Sequence, residues 1–203
     1  MRGVEQIPWL YDAFLWLTER WGHLQGWRRW LVGGARGRVL DLGTGSGHNL
    51  PLLPRGARAV AVDTCRQNLE AAARRGPGVA LVRARAEQLP FRSGAFDTVL
   101  AAYVLCSVVD PPAALGEVAR VLAPGGTLRI LEHVRSRHPG WARFQELVQP
   151  AWTLVTGGCH LERDTGAAID RAGFRVRDGS RRERGVMLSL EAEPGRAGGA
   201  PAR

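Results

Sequence analysis

The chain has 203 residues, of which 45% are hydrophobic and 23% charged, a composition typical of one soluble globular domain. The formal net charge is +9, but the 28 basic residues are all Arg and are scattered, which favours compositional bias over a nucleic-acid-binding surface. No apolar run reaches the roughly 18 residues of a membrane span, and the N-terminus lacks a signal-peptide pattern. We therefore expect a cytoplasmic protein that does not bind nucleic acid.

Residues 1–35 stand out because they contain five of the seven tryptophans, interleaved with leucines at helical spacing. This pattern predicts amphipathic helices before the sheet begins. The helices could pack over the sheet as a lid, or could touch a membrane surface, where Trp and Arg are favoured. We favour the lid and keep peripheral membrane contact as the alternative.

From Arg38 onward, short apolar segments alternate with helix-compatible ones. The predicted strands are 39–42, 59–63, 79–82, 96–102 and 127–131, and the predicted helices are 48–53, 66–75 and 112–122. Such alternation predicts parallel strand–helix–strand units. The expected fold is therefore α/β, with a Rossmann-like open, mostly parallel sheet and helices on both faces.

The chain beyond the fifth strand is predicted to add a helical cap and two last strands. Helical patterns cover 141–156 and 164–172, and the strands 173–177 and 185–190 are expected to pair antiparallel. Residues 194–203 contain only Gly, Ala, Pro and Arg, which predicts a disordered tail. The domain should therefore extend over residues 36–193.

A glycine-rich loop follows the first strand. The strand contains Asp41 and leads into Gly43, Thr44, Gly45, Ser46 and Gly47. Glycine allows tight turns and close approach of the backbone to a ligand, and parallel sheets bind ligands at the carboxyl ends of their strands. Asp63 ends the second strand about 20 residues further on, a separation suited to binding ribose hydroxyls. The alternative role of Asp63 is to cap the next helix, which Thr64 could share.

Five segments carry a resemblance to a known family. In chain order they read VLDLGTGSG, VAVD, AEQLPF, FDTVLAAYVL and LAPGGTLRILEHV. This order resembles the class I S-adenosylmethionine-dependent methyltransferases that act on small molecules, and it covers residues 38–134. The resemblance implies that the loop binds the methionyl part of S-adenosylmethionine and that Asp63 binds its ribose. We predict no metal ligands.

The same resemblance implies contacts for the rest of the cofactor. Ala86 and Glu87 would flank the adenine, although many relatives have an Asp where this chain has Arg85, while Ala102 and Tyr103 would lie beneath the sulfonium. The full set of predicted cofactor contacts is Asp41, Gly43, Thr44, Gly45, Gly47, Asp63, Thr64, Ala86, Glu87, Ala102 and Tyr103.

A closer resemblance concerns the acceptor. The segments 104–108, 132–134, 149–152 and 158–161 resemble the methyltransferase-like 7 group, which are membrane-associated alkyl-thiol methyltransferases with bacterial relatives. This implies a substrate cap over about 141–172 and an apolar acceptor such as a thiol, with a lipid amine or a quinone-like ring carbon still open. An RNA or protein methyltransferase and a non-catalytic binding module remain alternatives.

The candidate general base is His133, just beyond the fifth strand, although a purely structural histidine is an equal interpretation. His160 is a second choice. The three cysteines Cys65, Cys106 and Cys159 are widely spaced and indicate neither a disulfide framework nor a zinc site. Cys106 is expected to be a packing residue at a strand end.

Overall fold

The structure is a computed structural model that describes residues 24–156 and 158–195. The helices are α1 (Leu24–Gly33), α2 (Arg66–Arg75), α3 (Pro111–Val121), α4 (Pro139–Thr156) and α5 (Thr165–Arg171). The strands are β1 (Arg38–Leu42), β2 (Arg58–Asp63), β3 (Ala80–Arg83), β4 (Phe96–Ala102), β5 (Leu122–His133), β6 (Phe174–Val176), β7 (Arg182–Arg184) and β8 (Met187–Pro194). The predictions for residues 1–23 and for most of the tail lie outside the described residues.

The strands form one mixed sheet in the order β3-β2-β1-β4-β5-β8-β6, with β7 also pairing with β8. All pairs from β3 to β5 are parallel, as the alternating pattern predicts. β8 runs antiparallel to both β5 and β6, which confirms the predicted antiparallel final pair. The predicted open α/β fold is confirmed.

Successive residues of the central strands point to opposite faces of the sheet, and each face carries its own helices. On one face, Val39 of β1 packs in a cluster with Leu31 and Val32 of α1. On the other face, Leu40 of β1 packs in a cluster that contains Leu115 of α3. Both faces are therefore covered, which explains why these strands read as apolar in nearly every position.

Two local features differ from the sequence prediction. The predicted helix over 48–53 is only a 3-10 turn, Leu50–Leu52. Pro54 has no backbone N–H to bond to the carbonyl of Leu50, so a longer α-helix cannot form there. The segment Pro124-Gly125-Gly126, a composition typical of a turn, lies inside β5, where the register shifts between the pairs Phe96–Leu122 and Thr98–Thr127.

One buried arginine joins α1 to the middle of the sheet. Arg129 of β5 is only 5% exposed and forms an ion pair with Glu191 of β8. Its Nε donates to the carbonyl of Leu31 at 2.7 Å and its Nη2 to that of Trp30 at 2.6 Å. The C-terminal end of α1 is thus fixed to two adjacent strands through one side chain.

Within residues 24–156 and 158–195, no helix is long and apolar enough to cross a bilayer.

Candidate active site

A cleft of about 770 Å³ opens at the carboxyl ends of β1, β2 and β4. This volume falls in the range typical of small-molecule sites. Eight of the residues predicted to bind the cofactor line it: Gly43, Gly45, Asp63, Thr64, Ala86, Glu87, Ala102 and Tyr103. The three remaining predicted contacts, Asp41, Thr44 and Gly47, are not among the lining residues.

Asp41 and Thr44 shape the loop from behind. Asp41 is fully buried, and its carboxylate accepts hydrogen bonds from Thr44 Oγ1 at 2.6 Å and from Asn49 Nδ2 at 2.7 Å. Arg28 of α1 in turn donates to Asn49 Oδ1 at 2.7 Å. Burial raises the pKa of Asp41 despite these donors. Asn49 was not predicted as part of the site, because a single polar residue after the loop carries no distinctive spacing.

The loop glycines adopt backbone conformations that other residues disfavour. Gly43 and Gly47 have φ values of 60° and 89°. A Cβ on Gly43 would lie 2.5 Å from Val104 Cγ2, and one on Gly47 would lie 2.8 Å from the Cα of Ala72. Both positions therefore need glycine, for the turn and for close packing, and Gly43 also lines the cleft.

Asp63 fastens the loop to the end of β2. Its Oδ2 accepts the backbone N–H of Gly45 at 2.8 Å, and its Oδ1 accepts that of Cys65, also at 2.8 Å. Burial raises the pKa of this carboxyl, and the amide donors oppose that shift. The residue at the N-cap of α2 is Cys65, so Asp63 does not occupy the cap position considered in the sequence.

The opposite wall is formed by the segment after β3. Glu87 Oε1 accepts the backbone N–H of Val109 at 3.0 Å, and Glu87 Oε2 lies 3.5 Å from Arg85 Nε. Burial acts to raise the pKa of Glu87, but backbone donors that include Asp110 and Val109 outweigh it and lower the pKa. Glu87 therefore holds two walls of the cleft together as an ionised group.

Glu132 holds the loop that follows β4, a role that the sequence did not reveal. Its Oε1 accepts the backbone N–H groups of Val104 and Leu105, both at 2.9 Å, and its Oε2 accepts that of Cys106 at 3.1 Å. Burial raises the pKa of this carboxyl to about 7 although the three amides act against that change. Tyr103, directly before these residues, has a φ of 60° and lines the cleft. Glu132 thus fixes the loop in a conformation that is uncommon for a non-glycine residue.

The predicted catalytic residue lies beside the cleft rather than in its wall. The ring of His133 stacks on that of Tyr103 with 4.7 Å between centroids. His133 Nδ1 lies 3.6 Å from Cys159 Sγ, which lies 3.6 Å from Cys106 Sγ. We call Cys106, His133 and Cys159 the thiol–imidazole cluster. The contact between the two buried thiols lowers the pKa of Cys159 and raises that of Cys106.

The cap segment brings Cys159 to this position. Gln149 of α4 donates through Nε2 to the carbonyl of Cys159 at 3.0 Å, and the N–H of His160 donates to the carbonyl of Cys106 at 2.8 Å. The side chain of His160 bonds instead to Glu162, at 2.8 Å. Cys106 and Cys159 are 53 positions apart in the chain, which explains why their spacing did not indicate a shared site.

The strand order, the glycine loop and the acid at the end of β2 agree with the class I methyltransferase fold that the sequence resembles. Residues 40–130 match the family model described as a methyltransferase domain. This family match supports S-adenosylmethionine as the predicted cofactor, and the fold is similar to that of a solved S-adenosylmethionine-dependent methyltransferase.

Three relatives illustrate the likeness. The chain is 35% identical over 145 residues to the human thiol S-methyltransferase TMT1A, an alignment that covers 67% of this chain and 59% of the relative. It is 35% identical over 129 residues to demethylmenaquinone methyltransferase of Renibacterium salmoninarum, covering 61% and 53%. A crystal structure of a possible histamine N-methyltransferase from Thermotoga maritima matches with a TM-score of 0.71 and 20% identity, over 94% of this chain and 97% of that one. The chain spans about three fifths of the length of the thiol methyltransferase.

Proposed function

We propose that the protein transfers the methyl group of S-adenosylmethionine to a small apolar acceptor, and that this acceptor is a thiol. The observation that carries the proposal is the joining of the Gly45 amide to the Asp63 carboxylate at the rim of a cleft of suitable size. The cofactor supplies a methyl group already activated by its positive sulfur. The protein's own residues must therefore align the acceptor and exclude water.

The residues around the cleft divide this work. The loop from Gly43 to Gly47 presents backbone close to the ligand, and Asp63 provides acceptors for ribose hydroxyls. Tyr103 lines the cleft and stacks on His133, so the imidazole lies behind this part of the wall, and we infer that the acceptor enters on this side. A thiol must lose its proton before or during transfer, and this is the position from which a base or another polar group can act.

Two observations support a thiol acceptor. One relative at 35% identity is named a thiol S-methyltransferase. In addition, α4 exposes Trp141, Phe144 and Leu147, so the predicted cap itself presents an apolar surface. A quinone-like ring carbon is the second candidate, supported by the likeness to a demethylmenaquinone methyltransferase. Because α4 exposes these apolar side chains, the proposal also includes peripheral contact of α4 with a membrane.

A panel of acceptors tests the proposal. The full chain is incubated with S-adenosylmethionine and a short alkyl thiol, the matching alkyl alcohol, the matching amine or a reduced quinone, and release of S-adenosylhomocysteine is measured. We expect turnover with the thiol and none with the alcohol. Turnover with the amine or the quinone alone would disprove the thiol assignment.

Calorimetry separates the enzyme from a binding module. Failure to bind S-adenosylmethionine at near-millimolar concentration would disprove the whole proposal. Binding without turnover of any of the acceptors, or of RNA and protein substrates added in the same assay, would favour a non-catalytic module.

A further inference from the structure

The thiol–imidazole cluster contains side chains that commonly bind metals, which methyl transfer to an aligned acceptor does not require. Two thiol sulfurs and one imidazole nitrogen, from Cys106, Cys159 and His133, all lie within 4.8 Å of one another. Cys106 and Cys159 are at most 5% exposed, and His133 is half-buried. Cysteine thiolate and histidine nitrogen are the ligands that Zn²⁺ prefers in proteins.

Two of the three ligand distances fit a tetrahedral metal, and the third pair, Cys106 and His133, has ligand atoms within 4.8 Å of each other. With Zn–S bonds of about 2.3 Å and Zn–N bonds of about 2.0 Å, tetrahedral angles put two sulfurs about 3.8 Å apart and a sulfur and a nitrogen about 3.5 Å apart. The separation of Cys106 Sγ and Cys159 Sγ is 3.6 Å, and that of Cys159 Sγ and His133 Nδ1 is also 3.6 Å. A disulfide between the cysteines would leave the nearby imidazole without a role.

The backbones that carry the three ligands are fixed independently of any metal. Glu132 accepts the N–H of Cys106, β5 carries His133 at its end, and Gln149 bonds to the carbonyl of Cys159. The N–H of His160 also bonds to the carbonyl of Cys106, so the cap and the loop after β4 are directly joined. Ligands held in this way pay little ordering entropy when a metal binds.

We propose that Cys106, His133 and Cys159 form a Zn²⁺ site next to the cleft, with the fourth metal position available to a water or to the sulfur of the acceptor. Zinc sites with three protein ligands and one exchangeable position are typical of catalysis, whereas structural sites have four protein ligands. Glu132, the nearest carboxylate in sequence, cannot be the fourth ligand without giving up its bonds to backbone amides.

The cluster lies next to the cleft, where a bound metal would hold the methyl acceptor. His133 stacks on Tyr103, and Ser107, adjacent to Cys106, lines the cleft, so the cluster adjoins the cleft from two directions. In this arrangement His133 binds the metal and does not act as the general base, because the metal itself favours ionisation of a bound thiol.

The metal site does not depend on the proposed function. The binding of a thiol as the fourth ligand does depend on the proposed function. The thiol would release its proton to solvent on binding. Its sulfur electron pair would then form the new S–CH₃ bond while the S–CH₃ bond of the sulfonium breaks, with those electrons staying on the departing sulfur. The product is an uncharged thioether, a weaker ligand than the thiolate, which favours its release.

Metal content is the first test. The full chain is reduced, stripped with a chelator, reloaded with Zn²⁺ and freed of excess metal, and its zinc is measured. We expect close to one Zn²⁺ per chain for the wild type and for Cys65→Ser, the matched control. Cys106→Ser, Cys159→Ser and His133→Asn should each weaken zinc binding at least about tenfold. Because His133 is half-buried, His133→Asn is the variant most certain to fold, and circular dichroism checks all of them.

Several results would overturn the site. One is a wild type that binds no stoichiometric zinc, and another is a folded His133→Asn variant that binds a full equivalent of zinc. The third is a Cys106–Cys159 disulfide that forms in air even when Zn²⁺ is added. Co²⁺ provides a second readout, since thiolate ligands give it intense charge-transfer absorption that Cys159→Ser should reduce.

The fourth position is tested on the Co²⁺-loaded protein. A short alkyl thiol should change the visible spectrum, whereas the matching alcohol should not, and an unchanged spectrum with the thiol would overturn the acceptor role. If the metal binds but the acceptor panel shows no thiol turnover, the proposed function fails and the metal site stands.

Discussion

The carboxylate of Asp63 offers the sharpest test of how the cleft is built. The substitution Asp63→Asn keeps the size of the side chain and replaces one acceptor oxygen with an NH₂ donor. Both oxygens are used in the structure, one by the N–H of Gly45 and the other by that of Cys65, each at 2.8 Å. The amide side chain can accept only one of these bonds, so one backbone N–H must lose its partner.

The magnitude follows from these contacts. A hydrogen bond to a charged group contributes about 1.5–3 kcal/mol, and part of this loss is offset because neutral Asn has no charge to desolvate. We therefore expect a fall of about 1–2 kcal/mol in the free energy of unfolding, which a domain with about 5–15 kcal/mol tolerates. The loss of a charged acceptor for ribose hydroxyls, together with a less well fixed loop, should weaken S-adenosylmethionine binding about ten- to hundredfold.

Calorimetry measures the affinity, and urea unfolding measures the stability. Asp178→Asn is the matched control, because Asp178 is an exposed acid in the turn between β6 and β7. It should leave both quantities unchanged. If Asp63→Asn binds S-adenosylmethionine as tightly as the wild type, the assignment of this carboxylate to the cofactor is wrong.

Three further predictions concern the loop, the Glu132 carboxylate and the dependence of stability on pH. Gly45→Val should abolish S-adenosylmethionine binding in calorimetry, because Gly45 lines the cleft. Circular dichroism should stay native, because a side chain at its φ of 55° costs only about 1–2 kcal/mol. Wild-type affinity would show that the loop has another role. Glu132→Gln presents an NH₂ group to the N–H of Cys106 and should cost about 1–3 kcal/mol in urea unfolding at pH 8, and an unchanged midpoint would contradict the loop-fixing role. Hydrogen bonds from Arg38 lower the pKa of Asp97 to about 2, so its contribution is present above the unfolded pKa near 3.8 and is lost as pH falls through 2. Asp97→Asn should therefore destabilise the protein at pH 7, and its gap from the wild type should narrow between pH 4 and 2; a gap that is constant with pH would argue against the ion pair.

The sequence predicted the parallel part of the fold well because local patterns determine it. Buried parallel strands are apolar along their whole length, so 39–42 and 96–102 were recognisable, and the helix 66–75 was predicted with the bounds it has in the structure. The segment over 48–53 was misjudged because its composition permits a helix, whereas the spacing of its prolines allows only one short turn.

Local sequence patterns predicted only the glycine loop and Asp63, whereas the family resemblance supplied Ala86, Glu87, Ala102 and Tyr103. The glycine loop and Asp63 lie at adjacent strand ends, so a local pattern was sufficient. Glu132 and the thiol–imidazole cluster depend on how the loop after β4, the end of β5 and the cap meet in space. No periodicity or short spacing encodes such a meeting, and the isolated cysteines were therefore interpreted as packing residues.

The fixing of α1 by Arg129 has a mechanical consequence. The guanidinium binds carbonyls of Trp30 and Leu31 at the end of α1, and it belongs to the strand that ends four residues later at His133. Displacement of the last turn of α1 would therefore act on β5 through this guanidinium. Any partner that moves this turn would thus shift the strand that ends at His133.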